Sequence, residues 1–87
     1  MYVIVTYDVE EKRVNKVRKH LKKYLTWVQN SVFEGEISDA LMYKCLTEMK
    51  KMTDSSKDSI YIYKVKNPRN MEKQTIGIDK NLEDIFF

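Results

Sequence analysis

Eighty-seven residues make one domain with a small core, which a second copy of the chain would enlarge. Two glycines and one proline exclude long irregular loops and a glycine-rich phosphate cradle. The lone cysteine and lone histidine exclude an intrachain disulfide, a cysteine-based metal cluster and a zinc site built on several imidazoles. Net charge is only +3, yet it is unevenly spread, and that unevenness carries information.

The opening residues lack the basic region of a signal peptide, and no apolar stretch reaches the roughly 18 residues of a membrane span. A cytoplasmic protein with no membrane partner is therefore the expectation. Val3, Ile4 and Val5, framed by Tyr2, Thr6 and Tyr7, predict a strand buried on both faces and ending at Asp8. Val14, Val17, Leu21, Tyr24, Leu25 and Val28 then recur at helical spacing, with bases between them. Over this helix Lys12, Arg13, Lys16, Arg18, Lys19, Lys22 and Lys23 face one acid, Glu11. Such a block is either an electrostatic footprint for a polyanion or simply a solvated helix face. His20, four residues after Lys16, is expected to be exposed.

Residues 27–37, "WVQNSVFEGEI", return to strand-forming types, with Gly35 ending or bulging the strand. Ser38 reads as an N-cap. The helix after it carries the stripe Leu41, Met42, Cys45, Leu46, Met49 and Met52 and stops in the polar loop "TDSSKD". Cys45 and the methionines read as core filling. "SIYIYKVK" (59–66) alternates Ile60 and Ile62 with Tyr61, Tyr63 and Val65, which predicts a strand. "NPRN" is a turn, and "QTIGI" (74–78) is expected to be a short fourth strand. The predicted class is α+β, the ferredoxin-like βαββαβ order, with an antiparallel sheet and both helices on one face. Residues 1–78 form this domain and residues 79–87 a tail. Ile85, Phe86 and Phe87 in the tail are expected to bury against a partner subunit in a homodimer, the alternative being that they close over their own core.

Two readings stand for Asp8. As an N-cap it would pair with Glu11 at capping-box spacing. As a hard oxygen donor at the carboxyl end of the first strand it suits Mg²⁺, provided a twofold axis supplies a second carboxylate. Ser31 either donates a hydroxyl to a phosphate or satisfies a strand edge. Tyr61 and Tyr63 alternate as the base-stacking aromatics of RNA-recognition sheets do, although the glycine-containing third-strand signature is absent.

"YVIVTYDV", a basic helix and "VQNSVFEGEI" together resemble the small CRISPR-associated endoribonuclease family of the adaptation module, called Cas-two. The most specific matches are Tyr7-Asp8 closing the first strand and Gln29-x-Ser31-Val32-Phe33-Glu34. The resemblance implies a ferredoxin-like homodimer whose C-terminal strand adds to the partner's sheet. It implies that two copies of Asp8 share a divalent metal, taken as Mg²⁺, and that Arg13 and Lys12 neutralise charge on the reacting phosphate. Tyr7, Ser31 and Phe33 would shape the site or the dimer seam, and Lys12, Arg13, Lys16, Lys19 and Lys23 would bind RNA or double-stranded DNA. Two family arginines have no counterpart, because Asn15 and Trp27 stand at their positions. The implied function is CRISPR adaptation beside the integrase subunit, by metal-dependent phosphodiester hydrolysis. The alternatives are a non-catalytic DNA-binding adaptor that scaffolds the integrase and an RNA-binding module.

Overall fold

The computed structural model describes residues 1–72 and 74–76. Alternation along the first strand sets the layers. In β1 (Tyr2–Asp8) Val3, Val5 and Tyr7 are buried, whereas Tyr2, Ile4 and Thr6 are half-buried and Asp8 is exposed. Among the described residues helices cover one face of this strand only, so the expectation of burial on both faces is corrected. Successive side chains of a strand point to opposite faces, and the second face stays partly open.

The segment expected to be one strand over 27–37 is a hairpin. β2 (Thr26–Gln29) and β3 (Val32–Glu36) pair antiparallel, with a register shift between Trp27 and Gln29. The reversal uses Asn30 at φ 34°, a left-handed conformation that asparagine tolerates well. Gly35 does not end the strand. It lies inside β3 opposite Val3, where a Cβ would sit 3.4 Å from a Leu25 methyl. β4 (Ser59–Val65) pairs antiparallel with the other side of β1, from Tyr2 opposite Val65 to Asp8 opposite Ser59. The sheet order is β2-β3-β1-β4. Residues 74–76 are not strand. The four strands of the βαββαβ order are therefore β1, the two hairpin strands β2 and β3, and β4. The rest of that segment and the tail 79–87, with Ile85, Phe86 and Phe87, lie outside the described residues.

α1 (Glu11–Lys22) and α2 (Asp39–Met52) supply the second layer. Val17 and Leu21 of α1, and Met42, Cys45 and Met49 of α2, pack on Val3, Val5, Tyr7 and Phe33. Each such large side chain taken from water stabilises the fold by about 1.5–3 kcal/mol. Ser38 caps α2 as expected, its hydroxyl accepting the Leu41 N–H at 3.2 Å. Leu41 leaves the predicted stripe and is 48% exposed.

His20 is corrected most sharply. It is 4% exposed, not a surface residue, because it lies three positions after Val17 and so on the buried side of α1. Its Nε2 is 3.0 Å from the Cys45 carbonyl oxygen and its Nδ1 is 3.6 Å from Glu48 Oε2. The neighbouring Tyr24 hydroxyl donates to Glu48 at 3.3 Å.

Candidate active site and nucleic-acid interface

The carboxyl end of β1 carries two residues that go separate ways. Tyr7 turns into the core, 5% exposed, with its ring centroid 6.2 Å from that of the fully buried Phe33. Its backbone N–H donates to the Ser31 carbonyl at 3.1 Å, which extends the β1–β3 pairing past its last register pair. Burial pushes the Tyr7 hydroxyl pKa up, partly offset by the Arg18 charge and a hydrogen bond with the Ser31 side chain. Tyr7, Ser31 and Phe33 are thus one packed group on the helix side of the sheet. Asp8, one residue later, points to the other face and is exposed.

Asp8 does not cap α1. It keeps strand geometry and pairs with Ser59, and the N-cap falls on Glu10 (φ −55°, ψ 145°), whose side chain makes no capping bond. The capping-box reading with Glu11 is therefore corrected. A carboxylate from elsewhere in the chain takes that role: Asp58 Oδ1 accepts the Glu10 N–H at 2.9 Å. The Asp8 carboxylate itself has no hydrogen-bond or ion-pair partner among the described residues.

Arg13 is engaged on two of its three guanidinium nitrogens. Nε donates to Asp58 Oδ2 at 2.7 Å and Nη2 to Asp58 Oδ1 at 2.9 Å, a fork matched to the carboxylate. Nη2 also reaches Glu10 Oε1 at 2.7 Å. The Asp58 side chain is 1% exposed and that of Arg13 17%. The Arg13 fork, with the Asp54 and Glu10 N–H groups, holds the Asp58 carboxyl well below the usual carboxylate range against the opposing effect of its burial. Asp58 and Glu10 are the members of this site that sequence reasoning missed. The only signal was a carboxylate immediately before the strand that pairs with the end of β1.

The basic residues divide by direction. Lys12, Lys16, Lys19 and Lys23 are exposed and recur at spacings of four, three and four, so they form one stripe facing away from Val17 and Leu21. None pairs with a carboxylate among the described residues. Arg18 donates to Asn15 Oδ1 at 3.0 Å, and Lys22 lies over the Trp27 ring at 5.9 Å. On the open sheet face Tyr61 and Tyr63 are 59% and 56% exposed. No three His, Cys, Asp or Glu side chains converge as a metal cage within the described residues of one protomer. No helix there is long and apolar enough to cross a membrane.

A ferredoxin-like α+β domain with an exposed aspartate at the carboxyl end of its first strand and an exposed lysine stripe on its first helix defines the class. Residues 1–73 match the family described as CRISPR associated protein Cas2, and the chain belongs to that family. It is 54% identical over 81 residues to a protein of Thermodesulfovibrio yellowstonii named CRISPR-associated endoribonuclease Cas2 3, covering 93% of this chain and 92% of the relative. A Pyrococcus furiosus protein named CRISPR-associated endoribonuclease Cas2 is 48% identical over 98% of this chain and 99% of its own. A crystal structure described as cas2 superposes with a TM-score of 0.82 at 48% identity, over 92% of this chain and 90% of that one. The resemblance read from Tyr7-Asp8 and the second-strand motif is borne out, and so is the fold class.

Proposed function

We propose that this chain is a divalent-metal-assisted endoribonuclease of CRISPR adaptation, acting as a homodimer in which each protomer contributes Asp8. The observation that supports this most directly is the exposed, unengaged Asp8 carboxylate, in a chain whose relatives are named endoribonucleases. One protomer alone offers a single carboxylate, too few for an ion that prefers octahedral oxygen. Two protomers with Asp8 at their twofold axis double the donor set, and carboxylate oxygen fits Mg²⁺ or a similar hard cation. Such an ion, when bound, acidifies a water and polarises a phosphodiester. The chain's own part is to hold the RNA backbone on Lys12, Lys16, Lys19 and Lys23, and to keep Asp8 at the mouth of the site. Arg13 retains Nη1 as the guanidinium nitrogen with no described partner, so it can donate to a phosphate only from that side.

Asp8→Asn tests this. Asparagine keeps the size and the backbone pairing with Ser59 but removes the charge. Folding and association should survive while Mg²⁺-dependent RNA cleavage falls by at least 100-fold. Cleavage at the wild-type rate, shown to belong to the protein itself, would overturn the assignment.

A second reading is a dimeric adaptor that spans double-stranded DNA and docks the integrase subunit without cutting. The engagement of Arg13 by Asp58 and Glu10 favours it, since that guanidinium is then a structural cation first. Under this reading Asp8→Asn leaves spacer acquisition intact whatever happens to cleavage.

A further inference from the structure

Asp58 collects more hydrogen bonds than its place in a polar loop explains. Its Oδ1 accepts from Glu10 N–H and Arg13 Nη2, both at 2.9 Å. Its Oδ2 accepts from Arg13 Nε at 2.7 Å and from Asp54 N–H at 2.8 Å. Four donors converge on a side chain that is 1% exposed. The loop is built for this. Asp58 N–H donates to the Asp54 carbonyl at 2.7 Å, and the Asp54 carboxylate takes the Ser56 N–H and hydroxyl at 2.9 and 2.6 Å.

The place of this clamp in the fold matters. Ser59, the next residue, is the β-ladder partner of Asp8, and Glu10, which Asp58 grips, lies two residues beyond Asp8. Val9 between them is 9% exposed, in the core. Asp8 is therefore fixed by the ladder and by the clamp on the chain leaving it, while its own carboxylate has no partner among the described residues.

We propose that Asp58 is the positioning residue of the Asp8 site, with Arg13 acting through it by locking the carboxylate. The role rests on the reading of Asp8 as a metal ligand. Two carboxylates that meet across a twofold axis must each be placed within a few tenths of an ångström, because every error is doubled by the symmetry. A neutral asparagine at position 58 cannot do this. It offers one acceptor oxygen, and its amide must face either the Glu10 N–H with Arg13 Nη2 or the Asp54 N–H with Arg13 Nε, donor against donor. Lysine at position 13 keeps the charge but loses the planar fork.

The test uses the full-length chain and Mn²⁺ alone as probe, followed by electron paramagnetic resonance without any RNA. Dimer mass and thermal unfolding are recorded beside it. D58N, folded and associated, should bind Mn²⁺ about 10–100-fold more weakly, the usual effect of losing a group that orients a ligand. R13Q and R13K should both move in the same direction, and the D58N/R13Q double variant should be no weaker than D58N. If D58N does not fold, R13Q decides, since it leaves Asp58 its two backbone donors. D8N should abolish Mn²⁺ binding. Lost binding in D8N with wild-type affinity in D58N and R13Q would overturn the positioning role alone. Wild-type affinity in D8N would overturn the metal reading of Asp8, and the positioning role with it. In cleavage assays at saturating metal, D58N should lower kcat with KM for RNA unchanged, since the lysine stripe is untouched. Raised KM with kcat intact would mean that Arg13 and Asp58 shape the RNA surface instead.

Discussion

His20 reaches across the helix layer to Cys45: imidazole Nε2 and the α2 carbonyl oxygen are 3.0 Å apart, between residues 25 positions apart in sequence. This is a polar bond inside an otherwise apolar interface between α1 and α2, and the nearby Glu48 carboxylate lies 3.6 Å from Nδ1. A carbonyl oxygen can only accept, so Nε2 is the donor in this contact.

Replacing His20 by Ala should therefore destabilise the fold by about 2 kcal/mol, through the lost bond and the space left between the helices. Denaturant unfolding of His20→Ala checks the size. His20→Gln, which can still donate to the Cys45 carbonyl, should recover part of the loss. Equal loss in both variants would show that packing, not the hydrogen bond, is what His20 supplies.

Phe33 is fully buried beneath the end of β1, stacked on Tyr7 at an interplanar angle of 29°. Phe33→Ala should cost about 3–5 kcal/mol, the range for removing a core aromatic. Phe33→Leu should cost less, because it keeps most of the volume. A Phe33→Ala protein as stable as wild type would place the side chain outside the core.

Burial pushes the Cys45 thiol pKa up to about 11 from an ordinary 9.0, with the Glu48 charge adding to the effect. Native Cys45 should resist iodoacetamide at pH 8 and react only on unfolding, as intact-protein mass spectrometry will report. The thiol of the unfolded chain ionises first, so between about pH 9 and pH 11 the folded state holds more protons than the unfolded one. Stability must then fall as pH rises through that window. Cys45→Ala should flatten this part of the stability–pH curve, and an unchanged slope would assign the effect to the tyrosines.

Charge reversal at Lys16, Lys19 and Lys23 should weaken binding to both single-stranded RNA and double-stranded DNA with little regard to sequence. Each phosphate contact contributes a slope of about 0.9 in log affinity against log salt for duplex DNA and about 0.7 for single strands. Losing three contacts should therefore reduce the DNA slope by nearly 3. A wild-type slope in the triple variant would move the nucleic-acid surface off α1.

What the amino-acid order determined by itself is whatever repeats over a few residues. A β-branched apolar run marked β1, alternation marked β4, the spacing of Val17 and Leu21 or of Met42, Cys45 and Met49 marked two amphipathic helices, and Ser38 marked the start of the second. The local motif around Tyr7-Asp8 and Ser31-Val32-Phe33 was enough to reach the family. The hairpin turn at Asn30 was harder to see, because Gln29, Asn30 and Ser31 interrupt the apolar pattern without a glycine to mark the reversal. His20 was misjudged, and the Asp58 partner of Arg13 missed, for another reason. Nothing within a few residues of a basic side chain says whether it meets water or a distant carbonyl or carboxylate. Only when β4 lies against β1 does Asp58 come within 2.7 Å of Arg13, across 45 residues. Only when α2 packs on α1 does His20 acquire a buried acceptor. Polar partners are chosen by the tertiary structure, because their short, directional bonds depend on where the whole chain brings its atoms, whereas apolar periodicity needs only the local helix or strand.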